Sequence, residues 1–408
     1  MKSIIILGDG MADTPIESLG GKTPLMAAVT PYMDALAALG KNGMLSTVPR
    51  DMPPGSEVAN LAVLGYDVRE VYSGRGVLEA AAIGIDVQPG DLVMRCNLIC
   101  VEGDRIKNHS AGHISTEEAT ELIEALNREF ADERIRFYSG VSYRHILIIK
   151  GGDPEVSLTP PHDVPGQPFR AVFPFADQYK DLACKQNATM DILRDLILRS
   201  QVLLKDHPVN QKRRSEGKDP GNSVWFWSAG TKPKMKTYQE LYGKTGAVIS
   251  AVDLLHGIGT YAGFKILRVE GATGLYNTNY EGKVKAALDA IREVEMVYLH
   301  IEAADEAGHE GNVELKVKCI EAIDGRVLKP IMEYAQTSPE PIAIALLPDH
   351  PTPCAIRTHT HEPVPFVIYK PGNTADGVTA YDEASATAGA YGYIENGDFI
   401  RELFSPVS

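Results

Sequence analysis

No stretch of this 408-residue chain approaches the roughly 18 consecutive apolar residues that a membrane-spanning helix needs. The start, MKSIIILGDGMAD, has an apolar run of only Ile4 to Leu7 before Gly-Asp-Gly, too short for a secretory signal. Cysteines are few and odd in number: Cys96, Cys100, Cys184, Cys319 and Cys354. That is no disulfide framework; it fits a reducing compartment, and the cytoplasm is the expected location. Cys96 and Cys100 lie four apart in a strand-like run, on one face, and read as buried apolar filling rather than a metal pair. Positive charge is also short. A net charge of −14 excludes nucleic acid and anionic membrane as main partners. A small anionic metabolite remains compatible if metals or a local basic cluster invert the field. No pattern speaks to the oligomeric state.

A nucleotide-binding loop is missing as well. GGKT (20–23) and YGKT (242–245) lack the glycine five residues before Gly-Lys; those positions hold Ile16 and Tyr238. HGIGTYAG (256–263) has the wrong glycine spacing for a dinucleotide fingerprint.

What is present is an ordinary globular composition, 44% apolar and 23% charged, in a chain long enough for two domains. Residues 3–8, 294–303 and 341–349 read as buried strands, and 23–40, 55–65 and 312–335 as helices. Strand-helix alternation of this kind predicts an α/β parallel sheet. Between the two halves, DLVMRCNLICVEG, STEEATELIEALNREF and FYSGVSYRHILIIKGG read as strand, helix, strand, a βαβ-like unit. Ser115 and Glu118 form a capping-box pattern at the helix start. Residues 153–168 read as loop and 206–222 as an exposed polar connection. The expected organisation is a core of 1–74 and 231–408 with an inserted domain of 75–230.

Three predicted core strands run into aspartate-bearing loops. They deliver Asp9, then Asp305 with His309, then Asp349 with His350. Sites in parallel sheets form at the carboxyl ends of strands, so these groups are candidates for one crevice. Asp305 and His309 are four apart and face one way on a helical turn. Asp349 and His350 open the loop PDHPTPCAIRTHTHEPVP, which holds three of the chain's eleven histidines. Mixed carboxylates and imidazoles suit manganese, zinc or a similar divalent ion, and the number of candidates favours two. Paired metals commonly serve phosphoryl transfer. Ser56, after Pro-Pro-Gly at a helix start, is either an N-cap, a nucleophile or both.

Together, GDGMAD, PPGSEVANLAVLGYD, DEAGH, LPDHPTPCAIRTHTHEPVP and GATGLYNTNYEGK resemble the archaeal-type branch of the cofactor-independent phosphoglycerate mutases, nearly end to end. The resemblance implies an alkaline-phosphatase-like parallel-sheet core with a smaller inserted α/β domain. It implies a glycolytic isomerase that works through a phosphoserine on Ser56. One metal would take Asp9, Ser56, Asp349 and His350. The other would take Asp305, His309 and His359, which stands seven residues before Phe366. Manganese or zinc is implied, with magnesium compatible. The substrate set would be Arg95, Asn97, His109 and Arg144, with Arg75 and Glu79 added. Arginine forks suit phosphate and carboxylate.

One loop departs from the branch. Its members read Asp-His-Ser-Ala-Gly-Arg, whereas this chain reads NHSAGHI, with Asn108 and His113 in the outer places. A homoserine-kinase-like transfer in threonine biosynthesis and a phosphatase are therefore the alternative readings on the same core.

Overall fold

The computed structural model describes residues 1–174, 188–395 and 397–407; Cys184 lies outside them. Its strands, in chain order, are β1 (Lys2–Gly8), β2 (Lys41–Ser46), β3 (Asp91–Glu102), β4 (Arg105–Asn108), β5 (Ile135–Tyr138), β6 (Arg144–Lys150), β7 (Ser223–Thr231), β8 (Gly246–Ile249), β9 (Lys265–Leu267), β10 (Met296–Ile301), β11 (Ile342–Leu347), β12 (Val364–Tyr369) and β13 (Gly392–Glu395). The chain divides into two compact units, 1–72 with 234–408, and 73–233. The sequence reading placed these divisions at 74/75 and 230/231.

The larger unit holds an eight-stranded sheet in the order β13-β2-β12-β11-β1-β10-β8-β9. β1 lies between β11 and β10 and is parallel to both. β10 and β11 are buried along their whole length, and so is β1 beyond its first residue. Helices cover both faces of a parallel sheet, and such strands therefore read as unbroken apolar runs. Register aligns Leu7 with Leu347 and Gly8 with Ile301. The segments carrying Asp9, Asp305 and Asp349 thus leave the sheet at the same edge. β12 alone runs against the rest, antiparallel to β11 and β2. Its reversal has a consequence for the site. No crossover helix carries the chain back from β11, so the whole loop 348–363 stays at that edge.

Prolines account for two departures from the expected helices. Residues 23–40 form two helices, Pro24–Ala27 and Pro31–Leu39. Pro31 disfavours helical geometry at Thr30, which sits at φ −126° and ψ 63°. The second helix is capped from a distance: the Asp324 carboxylate accepts the Tyr32 and Met33 N–H groups at 3.0 and 2.7 Å. Residues 312–335 are helical but not uniform. Val313–Ala322 passes through a π-type stretch, Ile323–Leu328, into Lys329–Thr337. Pro330, whose ring would clash with the Arg326 carbonyl in a regular α-helix, follows the wide turn directly.

The smaller unit is a five-stranded sheet, antiparallel at every pairing. The βαβ-like reading of 91–150 is corrected here. The expected second strand is two, β5 and β6, joined by a turn with Ser142 at φ 55°, and β6 returns antiparallel along β3. The intervening helix Thr116–Phe130 has the full Ser115–Glu118 capping box. Residues 206–222 contain a helix, Pro208–Ser215. Cys96 and Cys100 are buried on β3 with free thiols.

One buried ion pair ties the larger unit's edge together. The Lys316 ammonium donates to Asp13 Oδ2 at 2.8 Å, to the Ala12 carbonyl at 3.1 Å and to the Thr352 carbonyl at 2.9 Å. Asp13 Oδ2 also accepts the Cys354 N–H at 3.1 Å, and both ion-pair side chains are fully buried. The segment after β1 is thereby fastened to the loop after β11. Lys316→Met strands the carboxylate in an apolar setting and should lower unfolding free energy by about 3–5 kcal/mol in urea titrations. Adding Asp13→Asn to that variant should recover part of the loss.

Candidate active site

The loop after β1 can lie against Asp305 because residue 10 is glycine. Gly10 has φ +63°, and a Cβ there would stand 2.7 Å from the Asp305 Cα. Three sets of donor atoms, each within 4.8 Å of one another, meet at this edge: Asp305, His309 and His359; Asp9, Asp305 and His350; and Asp9, His300 and Asp349. The structure therefore brings Asp9, Asp305, His309, Asp349, His350 and His359 into one cluster, with Ser56 against it.

Ser56 opens the helix Ser56–Val63, but Gly55 is the N-cap and no side chain caps the helix. The N-cap reading of Ser56 is therefore corrected. Its Oγ lies 3.2 Å from His350 Nε2. One turn on, Asn60 donates to the Ser56 carbonyl at 2.8 Å and to Asp349 Oδ2 at 2.9 Å. The Tyr298 hydroxyl donates to Asn60 Oδ1 at 2.6 Å and so fixes which way the amide faces. Asp349 Oδ1 accepts the N–H groups of Gly10 and His350 at 3.2 and 2.9 Å.

Hydrogen bonds orient the imidazoles. The Thr352 hydroxyl donates to Asp305 Oδ1 at 2.5 Å, which leaves its oxygen to accept from His350 Nδ1 at 3.3 Å. His309 Nδ1 donates to the Arg357 carbonyl at 3.0 Å, and His359 Nδ1 to the Pro54 carbonyl at 3.3 Å. All three rings thus turn Nε2 inward. His309 and His359 Nε2 lie 3.3 and 3.4 Å from the two oxygens of Asp305. They are 2.9 Å from each other. His361 plays a different part: its Nε2 donates to the Met52 carbonyl at 2.8 Å. Residues 359–361 are therefore pinned at two places to the segment that leads into Ser56.

The electrostatics call for a cation. Burial, and then the charges of Asp349 and Asp305, push the Asp9 carboxyl well above the usual range. Its Oδ1 is a buried oxygen with no hydrogen-bond partner. Burial works in the same direction on Asp305, but hydrogen bonds from His309 and His359 outweigh it and hold that carboxyl well below the usual range. The bond to Asp305 raises His309 to about 9. Inward-facing Nε2 atoms, an orphaned carboxylate oxygen and no thiolate together fit a divalent metal of the manganese, zinc or magnesium kind.

Three contributors escaped the sequence reading. Asn60 and Thr352 carried no signal beyond their nearness to Ser56 and His350. His300 did carry one, as a histidine inside an apolar strand run. It is fully buried on β10, with Nε2 3.0 Å from Asp9 Oδ2. Burial pushes it down to about 3, so it is neutral.

The six substrate-set residues all lie in the smaller unit. Glu79 pairs with Arg75 and with Arg95, each at 2.9 Å. The Arg95 guanidinium is nearly buried and stacks 4.1 Å from the Trp227 ring centre. Asn97 is buried; it accepts from the Trp227 indole at 3.0 Å and donates to the His109 carbonyl at 3.1 Å. His109 and Arg144 both lie beside Tyr143, at 5.7 and 5.9 Å. In the departing loop, Asn108 accepts the Ser110 and Gly112 N–H groups at 3.2 and 3.0 Å and donates to the Asp219 carboxylate.

Comparison with known proteins agrees across the chain. A family model described as 2,3-bisphosphoglycerate-independent phosphoglycerate mutase matches residues 37–210. A protein of that name from Methanosarcina barkeri is 49% identical over 405 residues, covering 99% of each chain. A solved structure from Pyrococcus horikoshii superposes with a TM-score of 0.81 at 30% identity, covering 98% of this chain and 96% of its own. The cofactor-independent phosphoglycerate mutase from Thermoplasma acidophilum gives a TM-score of 0.69 at 29% identity, covering 99% and 100%.

The two histidines of THTH should separate cleanly. His359→Ala is expected to weaken manganese binding by about 10-fold or more, measured by competition with a fluorescent chelator. His361→Ala should leave that affinity within about threefold and lower stability by about 1 kcal/mol, the worth of a lost hydrogen bond.

Proposed function

The chain belongs to the 2,3-bisphosphoglycerate-independent phosphoglycerate mutases, and on that footing we propose that it interconverts 3-phosphoglycerate and 2-phosphoglycerate by two phosphoryl transfers through Ser56. The observation that carries this reading is the Ser56 hydroxyl. It is free of capping duty, stands at the positive end of a helix and lies 3.2 Å from His350 Nε2 beside a buried acidic cluster.

In this reading Asp9, Ser56, Asp349 and His350 hold one divalent ion, and Asp305, His309 and His359 hold the other. Ions held there supply charge that offsets the phosphoryl oxygens and lowers the pKa of the serine hydroxyl. Ser56 Oγ forms a bond to phosphorus as the bond to the C3 oxygen breaks. Oγ gives up a proton and the C3 oxygen takes one. After glycerate turns, its C2 oxygen bonds to the phosphoserine phosphorus and loses a proton. The Oγ–P bond breaks and Oγ regains its proton, so the cycle has no net proton change. In this reading the arginines and His109 of the smaller unit serve the substrate's anionic groups, whose paired oxygens suit guanidinium forks. Glu79 and Asn97 act as supports, Glu79 between Arg75 and Arg95, Asn97 between Trp227 and His109.

The test incubates manganese-loaded protein with 3-phosphoglycerate and, separately, with ATP plus homoserine. Formation of 2-phosphoglycerate without added bisphosphoglycerate is expected. Phosphohomoserine alone, or free phosphate alone, overturns the mutase reading in favour of a kinase or a phosphatase. Ser56→Ala should lower the rate by on the order of 10³-fold or more. Full activity in that variant removes the covalent route.

A further inference from the structure

Among the clustered imidazoles, His300 is wired the other way round. The Ser250 hydroxyl oxygen accepts the Val252 N–H at 2.9 Å and has its own hydrogen to give to His300 Nδ1, 3.1 Å away. With Ser250 donating to Nδ1, the ring proton sits on Nε2, which faces Asp9 Oδ2 at 3.0 Å. The opposite tautomer would set a nitrogen lone pair against a carboxylate lone pair. His350, His309 and His359 instead face an acceptor with Nδ1, which leaves Nε2 as the nitrogen a metal would take. A ring that donates from Nε2 has no lone pair there for a metal. Ser250 and His300 are 2% and 0% exposed, so this serine, histidine and aspartate string meets no substrate.

The geometry points to His300 as a positioning residue. Its Nε2–H holds Asp9 Oδ2, Ser250 fixes the tautomer, and Asp9 Oδ1, which has no hydrogen-bond partner and lies 3.7 Å from His350 Nε2, is thereby left free to take a metal. The inference rests on the metal reading above. Partners of this kind typically contribute 10- to 100-fold in metal affinity.

The experiment measures manganese affinity by chelator competition on metal-free protein whose far-ultraviolet circular dichroism matches the parent. His300→Phe should weaken binding by about 10- to 100-fold. Excess manganese should restore most of kcat, which a purely structural defect would not allow. His300→Gln keeps an N–H donor and should bind more tightly than His300→Phe. Ser250→Ala retains the imidazole and its shape and should weaken binding by about threefold or more; it serves if the His300 variants fail to fold. Unchanged affinity in Ser250→Ala and in any folded His300 variant overturns the inference, as do equal losses in Gln and Phe. Asp9→Ala separates the two readings. If it too binds manganese like the parent, the metal assignment itself falls; if it alone loses binding, only the role of His300 does.

Discussion

Three aspartates buried at the ends of neighbouring parallel strands repel one another, and the larger unit is organised around that repulsion. Two like charges about 4 Å apart cost about 4 kcal/mol at an effective dielectric of about 20. β11, β1 and β10 lie side by side and in register, so their carboxyl ends place Asp349, Asp9 and Asp305 together whatever the side chains prefer. The protein meets the cost piecemeal. Asp349 is held by two backbone N–H groups and the Asn60 amide. Asp305 is met by two imidazoles and a threonine hydroxyl. Asp9 has His300 on one oxygen and no hydrogen bond on the other. That remaining deficit is what a bound cation answers.

Held charges need a held backbone. Lys316, on the helix that follows the Asp305 segment, gathers acceptors from 12–13 and from Thr352. A lysine clamp of this sort sets the loops, and a separate layer of hydrogen bonds sets the rings. Proton placement divides the histidines into those that offer a lone pair and the one that withholds it. Sequence spacing carries no trace of that division, because it depends on which acceptor stands behind each ring. Asp305 to His309 is a helical interval, while the acceptor for His309 comes from Arg357.

The smaller unit gives a physical account of the loop that departs from its branch. An aspartate at 108 would face the Asp219 carboxylate. Asparagine instead donates to Asp219 while its oxygen accepts two N–H groups of its own loop, in which Ala111, Gly112 and His113 all have positive φ. Asn108 is thus fitted to the shape of this loop. His113 has no such account beyond its place near Tyr143.

Periodicity and composition were enough for the parallel core, the β1, β10 and β11 strands and the loops that carry the candidate donors, because burial on both faces and strand-end chemistry are local signals. The family resemblance added the division of those donors between two metals and the choice of His359 over His361. Proline effects were partly hidden: Pro31 and Pro330 reshaped helices that apolar spacing presented as continuous. The antiparallel course of β6 was hidden too, since strand direction is set by pairing with β3 and leaves the alternation of residues unchanged. The sequence by itself determined which residues reach the edge of the sheet, through short-range pattern. Tertiary structure alone decided what each does there, with Gly55 and not Ser56 capping its helix, His361 bound to Met52, and His300 turned toward Asp9. The two histidine outcomes depend on partners 50 to 309 residues away, where a hydrogen bond has direction but no signature in the chain.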